Sequence, residues 1–190
     1  LMLSMLTEEP DAYLAQLQAA KLNDDVEVAH YAATAVAQIS KESDLKLQQL
    51  ERTFKTDPSA QNLNEYCDFL GEYLGSGLAE GRVAQIQRQQ YARLLARRCE
   101  REDTLKLRIR YATALADVGQ IDEAQAVTDQ LVLDVPEEQE VWMLCLRLAV
   151  MRRDGDEVHR VIDAIDKQHV YLSAANREEL AFWRNGEEAR

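Results

Sequence analysis

Turn-forming residues are scarce in this chain of 190 residues, which holds seven glycines and three prolines, about half the usual share. So few breakers cannot supply the many tight hairpins of a β-sandwich or barrel, and an all-α fold is expected. Cysteine is equally sparse. Cys67, Cys99 and Cys145 are an odd number with no CxxC pair, each inside a helical apolar pattern. That excludes a disulfide framework and a zinc site, and predicts buried thiols of a reducing compartment. Basic residues are in deficit, 22 Lys and Arg against 34 Asp and Glu for a formal charge of −12. This balance opposes the phosphate neutralisation on which nucleic-acid binding rests. Long apolar runs are absent too, since none approaches the roughly 20 residues of a membrane-spanning helix. The chain opens on the apolar hexamer Leu1-Met2-Leu3-Ser4-Met5-Leu6 without an initiator methionine, so an excised fragment of a longer protein is expected. The hexamer reads either as the tail of a packing helix or as the stub after a removed membrane segment.

What the chain does have is apolar residues at helical spacing almost throughout, with breakers where each periodic run ends. The pattern predicts nine or ten helices. Thr7-Glu8-Glu9-Pro10 places an N-cap and a first-turn proline before Tyr13, Leu14, Leu17 and Ala20. Asn23-Asp24-Asp25 caps a second helix carrying Val26, Val28, Ala29, Ala32, Ala33, Val36 and Ile39. Its pattern resumes through Leu45, Leu47, Leu50 and Phe54 to Asp57-Pro58, and Ser40–Ser43 fits either a break or a continuous surface turn. Helices are then predicted over about 60–79 and 82–101, hinged on Gly75-Ser76-Gly77 and Gly81, followed by 103–118 with 121–134 and 138–153 with 155–168. A last helix begins near Ser173. Connections this short make sequential helices antiparallel neighbours.

The last two pairs repeat with a period of 34. Asp122-Glu123-Ala124 recurs as Asp156-Glu157-Val158, and Val127, Leu131 and Leu115 map onto Val161, Ile165 and Ala149. The period and the spacing of Ala112, Leu115, Gly119, Ala124, Leu131 and Pro136 resemble the tetratricopeptide repeat. Trp142 falls where that family puts a first-helix aromatic. The departures are Arg108 for that aromatic in the first copy, Thr128 for the second-helix aromatic, Leu146 where a small residue is expected, and a turn glycine moved to Gly155. Upstream, Leu22 to Val36 resembles the inner helix of a HEAT repeat. The expected organisation is a right-handed α-solenoid of helix hairpins, HEAT-like over 1–58 and tetratricopeptide-like over 59–190, with a C-terminal capping helix from Ser173 to Trp183.

The order of a HEAT-like opening, a long polar helix, Glu72-Tyr73-Leu74-Gly75-Ser76-Gly77-Leu78-Ala79-Glu80-Gly81 and tetratricopeptide-like pairs resembles the cytoplasmic part of PelE-like proteins. Those are membrane-anchored subunits of bacterial machines that polymerise and export the Pel exopolysaccharide. The resemblance implies a soluble domain at the cytoplasmic face of the cell membrane. It also implies protein partners among c-di-GMP-sensing, glycosyltransferase and transporter subunits. No cofactor is expected.

Chemistry-bearing motifs are missing. The chain has no phosphate-cradling glycine loop with its lysine, no Gly-x-Ser-x-Gly elbow and no His-Glu-x-x-His helix. His30, His159 and His169 are its only imidazoles; His30 is expected to pack beside Tyr31, and His159 stands one helical turn from Asp163, a spacing that a surface pair explains. A non-enzymatic protein is expected.

Charge is more informative. Residues 82–110 carry nine Lys or Arg and three acids, a net +6, between flanks of −9 each. Arg93, Arg97 and Arg101 recur at one-turn spacing and predict a stripe on one helix face. The belt either compensates neighbouring acidic helices or docks an acidic partner or anionic headgroups, since guanidinium groups bind carboxylate and phosphate in forked geometry. In tetratricopeptide folds first helices line the concave groove, so the resemblance implies that Lys106, Thr113, Asp117, Met143, Arg147 and Met151 face it. The reading is an interaction scaffold, with two alternatives: a soluble peptide-binding adaptor, or the regulatory domain of an enzyme whose active site lies elsewhere.

Overall fold

The computed structural model describes residues 10–185. The hexamer Leu1–Leu6 and the Thr7 cap lie outside that range. Nine helices form among the described residues, with no strand, and pack against their sequence neighbours. The chain divides into two compact units, residues 1–94 and 95–190.

In the first unit, α1 (Pro10–Ala20) packs on α2 (Val26–Thr56), and α2 on α3 (Ala60–Gly75). Asp25 starts α2 by accepting hydrogen bonds from the backbone N–H groups of Glu27 and Val28. No glycine or proline follows until Pro58, and α2 runs 31 residues without a break at Ser40–Ser43. Asp57 ends it in an extended conformation, as a residue before proline prefers. Ser59 then caps α3. The α2–α3 seam is partly polar. Tyr73 donates its hydroxyl to Asp44 Oδ1 at 2.7 Å, Lys46 Nζ lies 4.3 Å from the Phe69 ring centre, and Phe54 meets Tyr66 at 6.1 Å. Burial pushes both tyrosines up to about 12, helped by the Glu51 carboxylate for Tyr66 and by the Asp44 hydrogen bond for Tyr73. The turn after α3 holds Gly77 at φ +72°, where a Cβ would be strained. α4 (Gly81–Cys99) follows, and Gln90 hydrogen-bonds Tyr66.

The second unit stacks α5 (Leu105–Asp117), α6 (Ile121–Asp134), α7 (Gln139–Arg152), α8 (Gly155–Lys167) and α9 (Ala174–Asn185) in chain order. Two apolar clusters hold it together. One joins α5 and α6 to Val141, Leu144 and Leu148 of α7; the other joins Trp142, Leu146 and Ala149 of α7 to α8 and α9. α7 is therefore apolar on two faces, one closed by α5 and α6 and the other by α8 and α9. The expected small residues Ala112 and Ala124 are fully buried where α5 crosses α6. Trp142 is buried and donates its indole N–H to the carbonyl of Pro136 at 2.7 Å.

The repeat's departures acquire reasons. Arg108 reaches Asp134 at 2.6 Å and so ties the start of α5 to the end of α6 with an ion pair. Thr128 is fully buried because its hydroxyl is satisfied by the carbonyl of Ala124 at 2.7 Å. The turn glycine has not moved to Gly155. Gly119 has φ +79°, and 34 residues on Arg153 occupies the same left-handed corner at φ +57°, while Gly155 simply begins α8. The thiols are free; Cys67 and Cys145 are buried, but Cys99 near the end of α4 is only half-buried. Burial pushes the Cys145 thiol up to about 12.

Candidate functional site

The basic belt resolves into cations that are used inside the fold and cations that are not. Arg108 pairs with Asp134, and Arg98, almost buried, lies 3.9 Å from Glu102. Arg97, Arg101 and Arg110 are likewise engaged. The Arg93, Arg97 and Arg101 stripe is shorter than the spacing predicts. α4 ends at Cys99, so Arg101 sits in the following turn, its N–H donated to the carbonyl of Arg98. Arg93 belongs to the first unit and the other two to the second. All three side chains are exposed.

Within the first unit, α4 buries Ala84, Ala92 and Leu94. The opposite side carries Arg82, Ile86, Gln89 and Arg93 at i, i+4, i+7 and i+11, a single helical face. All four are exposed, Ile86 and its neighbour Val83 each at 56%. Arg82 and Arg93 have no partner among the described residues. Two β-branched side chains framed by unengaged guanidinium groups form a surface suited to an acidic and partly apolar counterpart. Counting charges over 82–110 missed it. The signal was present as arginine and isoleucine sharing one helical period, legible only once the buried side of α4 is known.

The residues expected to face a groove separate as well. Asp117 and Arg147, 30 positions apart, form an ion pair at 2.5 Å, and Arg152 reaches Asp122 at 3.0 Å. These rungs connect α7 to α5 and to the start of α6. Thr113 returns its hydroxyl to the carbonyl of Ile109 at 2.9 Å, and Met143 packs half-buried against the second cluster. Lys106 and Met151 remain exposed. The described part of this face is mostly committed to the fold's own contacts.

Among imidazoles, His159 Nδ1 lies 2.7 Å from the carbonyl of Gly155, and His30 stacks obliquely near the Tyr31 ring at 6.2 Å. No group of three or more His, Cys, Asp or Glu among the described residues is arranged to hold a metal ion. None of the described helices is long and apolar enough to cross a membrane. No family model, curated protein or solved structure matches the chain.

Proposed function

We propose that this chain is a non-enzymatic protein-interaction scaffold, built of tetratricopeptide-like helix pairs, that docks through the outer face of α4. The reading extends to the PelE-like role: the domain would sit at the cytoplasmic face of a membrane-anchored subunit. There it would gather the c-di-GMP-sensing, glycosyltransferase and transporter subunits of a Pel-type exopolysaccharide machine. The observation that supports docking most directly is the Arg82, Ile86, Gln89 and Arg93 face, where apolar and cationic side chains are exposed and neither guanidinium has a partner among the described residues. Burying what remains exposed of Val83 and Ile86 against a partner recovers about 1–1.5 kcal/mol each. A carboxylate placed between the two arginines adds forked hydrogen bonds and selects the partner by charge.

The test is affinity capture of the full-length protein with its membrane subunits. Loss of the synthesis subunits on combined Arg82→Glu and Arg93→Glu substitution, with helicity unchanged, is the expected result. Undiminished capture would remove this face from the account. Hydrolase or transferase turnover by the chain that disappears on His159→Ala would overturn the non-enzymatic reading.

A further inference from the structure

The corner between α1 and α2 carries apolar side chains that the first unit leaves uncovered. Leu22 is 87% and Val26 80% exposed, yet the backbone there is firmly tied. Leu22 and Asn23 donate their N–H groups to the carbonyls of Ala19 and Ala20, Asn23 Oδ1 accepts from the N–H of Asp25, and Asp25 caps α2. A surface held this way meets a partner at little further ordering cost. From Val26 the exposed face of α2 continues through His30, Ala33 and Ala37, at i, i+4, i+7 and i+11. Its two alanines leave room for another helix to come close. Asp24 and Glu27 flank its start, both exposed and with no ion-pair partner among the described residues.

The outer face of α4 has the same spacing and the opposite charge, with Arg82 and Arg93 framing Ile86 and Gln89. Gln18 Nε2 donates to the carbonyl of Ser76 at 3.4 Å, which sets the end of α1 beside the turn leading into α4. Both faces therefore begin at one end of the first unit. Each offers what the other lacks: carboxylates beside aliphatic side chains on α2, guanidinium groups beside aliphatic side chains on α4. A two-fold axis satisfies both faces of both copies at once, because a symmetric interface repeats every contact. We propose that two copies of this chain pair reciprocally, the α2 corner of each lying on the α4 face of the other. This rests on the reading of the α4 face as a docking surface and gives that face a second copy as occupant. A synthesis subunit taking the same face would compete with it.

The experiment is sedimentation equilibrium of the 190-residue chain over a wide concentration range. The mass should rise with concentration and level at that of two copies. Leu22→Ser, the pair Asp24→Lys with Glu27→Lys, and the pair Arg82→Glu with Arg93→Glu should each weaken association about tenfold. Each charge-reversed chain then carries two faces of like charge, so the two variants mixed should pair with each other as tightly as the unaltered chain pairs with itself. That recovery also shows that both variants fold. Leu133→Ser, at a leucine of α6 that is 76% exposed, should leave the mass unchanged. A chain monomeric at every concentration overturns the proposal and leaves the α2 corner to a different protein. So does a mass that climbs past two copies, which marks an open head-to-tail array, or a mixture of the two variants that fails to pair. The two readings fail separately: capture of the synthesis subunits that ignores Arg82 and Arg93 overturns only the subunit docking if the mixed variants still dimerise.

Discussion

α2 and α7 show how differently helices of one chain can be held. The 31 residues of α2 bury three side chains, Ala32, Leu47 and Phe54, while the 14 residues of α7 bury seven. The long helix is continuous because nothing in it breaks a helix and because Asp25 and Asp57 define its ends, and it packs on α1 and α3 with few enclosed side chains. The short helix is secured by two neighbours on each of two faces. Length therefore does not report burial in this fold; the number of apolar faces a helix closes against its neighbours does.

The largest effect that would break this contrast lies in α7. Leu146→Ala or Leu148→Ala should cost about 2–5 kcal/mol in urea unfolding, because each empties a fully enclosed space. Leu45→Ala in α2, more than half exposed, should stay within about 0.5 kcal/mol. A loss of several kcal/mol at Leu45 would show that the first unit has a core the burial pattern does not reveal. Next comes the left-handed corner shared by the two repeats. Arg153→Gly should raise stability by about 1 kcal/mol by relieving a conformation disfavoured for side chains with a Cβ. Gly119→Ala, at the equivalent position, should lower it by a similar amount, and thermal melts of the two variants must move in opposite directions.

Smaller effects sharpen the comparison. Asp25→Ala should cost about 1 kcal/mol locally, seen as faster hydrogen exchange at the first amides of α2 with little change in α7. The exposed Asp117–Arg147 pair should show a coupling below about 1 kcal/mol in a double-mutant cycle. The last prediction concerns pH. The Arg108 guanidinium hydrogen-bonded to Asp134, with help from Gln130, holds that carboxyl below its ordinary value. A depressed carboxyl stabilises the fold above its unfolded pKa, and that contribution is lost as pH falls through the folded value. NMR titration of Asp134 should therefore show a low midpoint that returns upward in Arg108→Gln; an unchanged midpoint would dissociate the pair from the shift.

Much of the fold was readable in the residues. The helix ends around Asp25, Pro58, Gly119 and Pro136, the crossing alanines Ala112 and Ala124, and the 34-residue period all rest on local rules. The left-handed turn of Arg153 was not readable, since the expectation of a glycine pointed to Gly155. The candidate site was less legible than the fold. The count of basic residues singled out Arg93, Arg97 and Arg101, whereas the exposed face groups Arg93 with Arg82 and Ile86. Asp117 and Arg147 looked like two separate groove residues and are partners of each other.

By itself the sequence determined that the chain is helical, where most helices begin and end, and that consecutive helices form hairpins. Apolar period, caps and breakers act within a few residues and need no distant neighbour. Only the tertiary structure decided which charges are consumed: whether a guanidinium stands free depends on a carboxylate some thirty positions away, as for Arg147, or on its absence, as for Arg93.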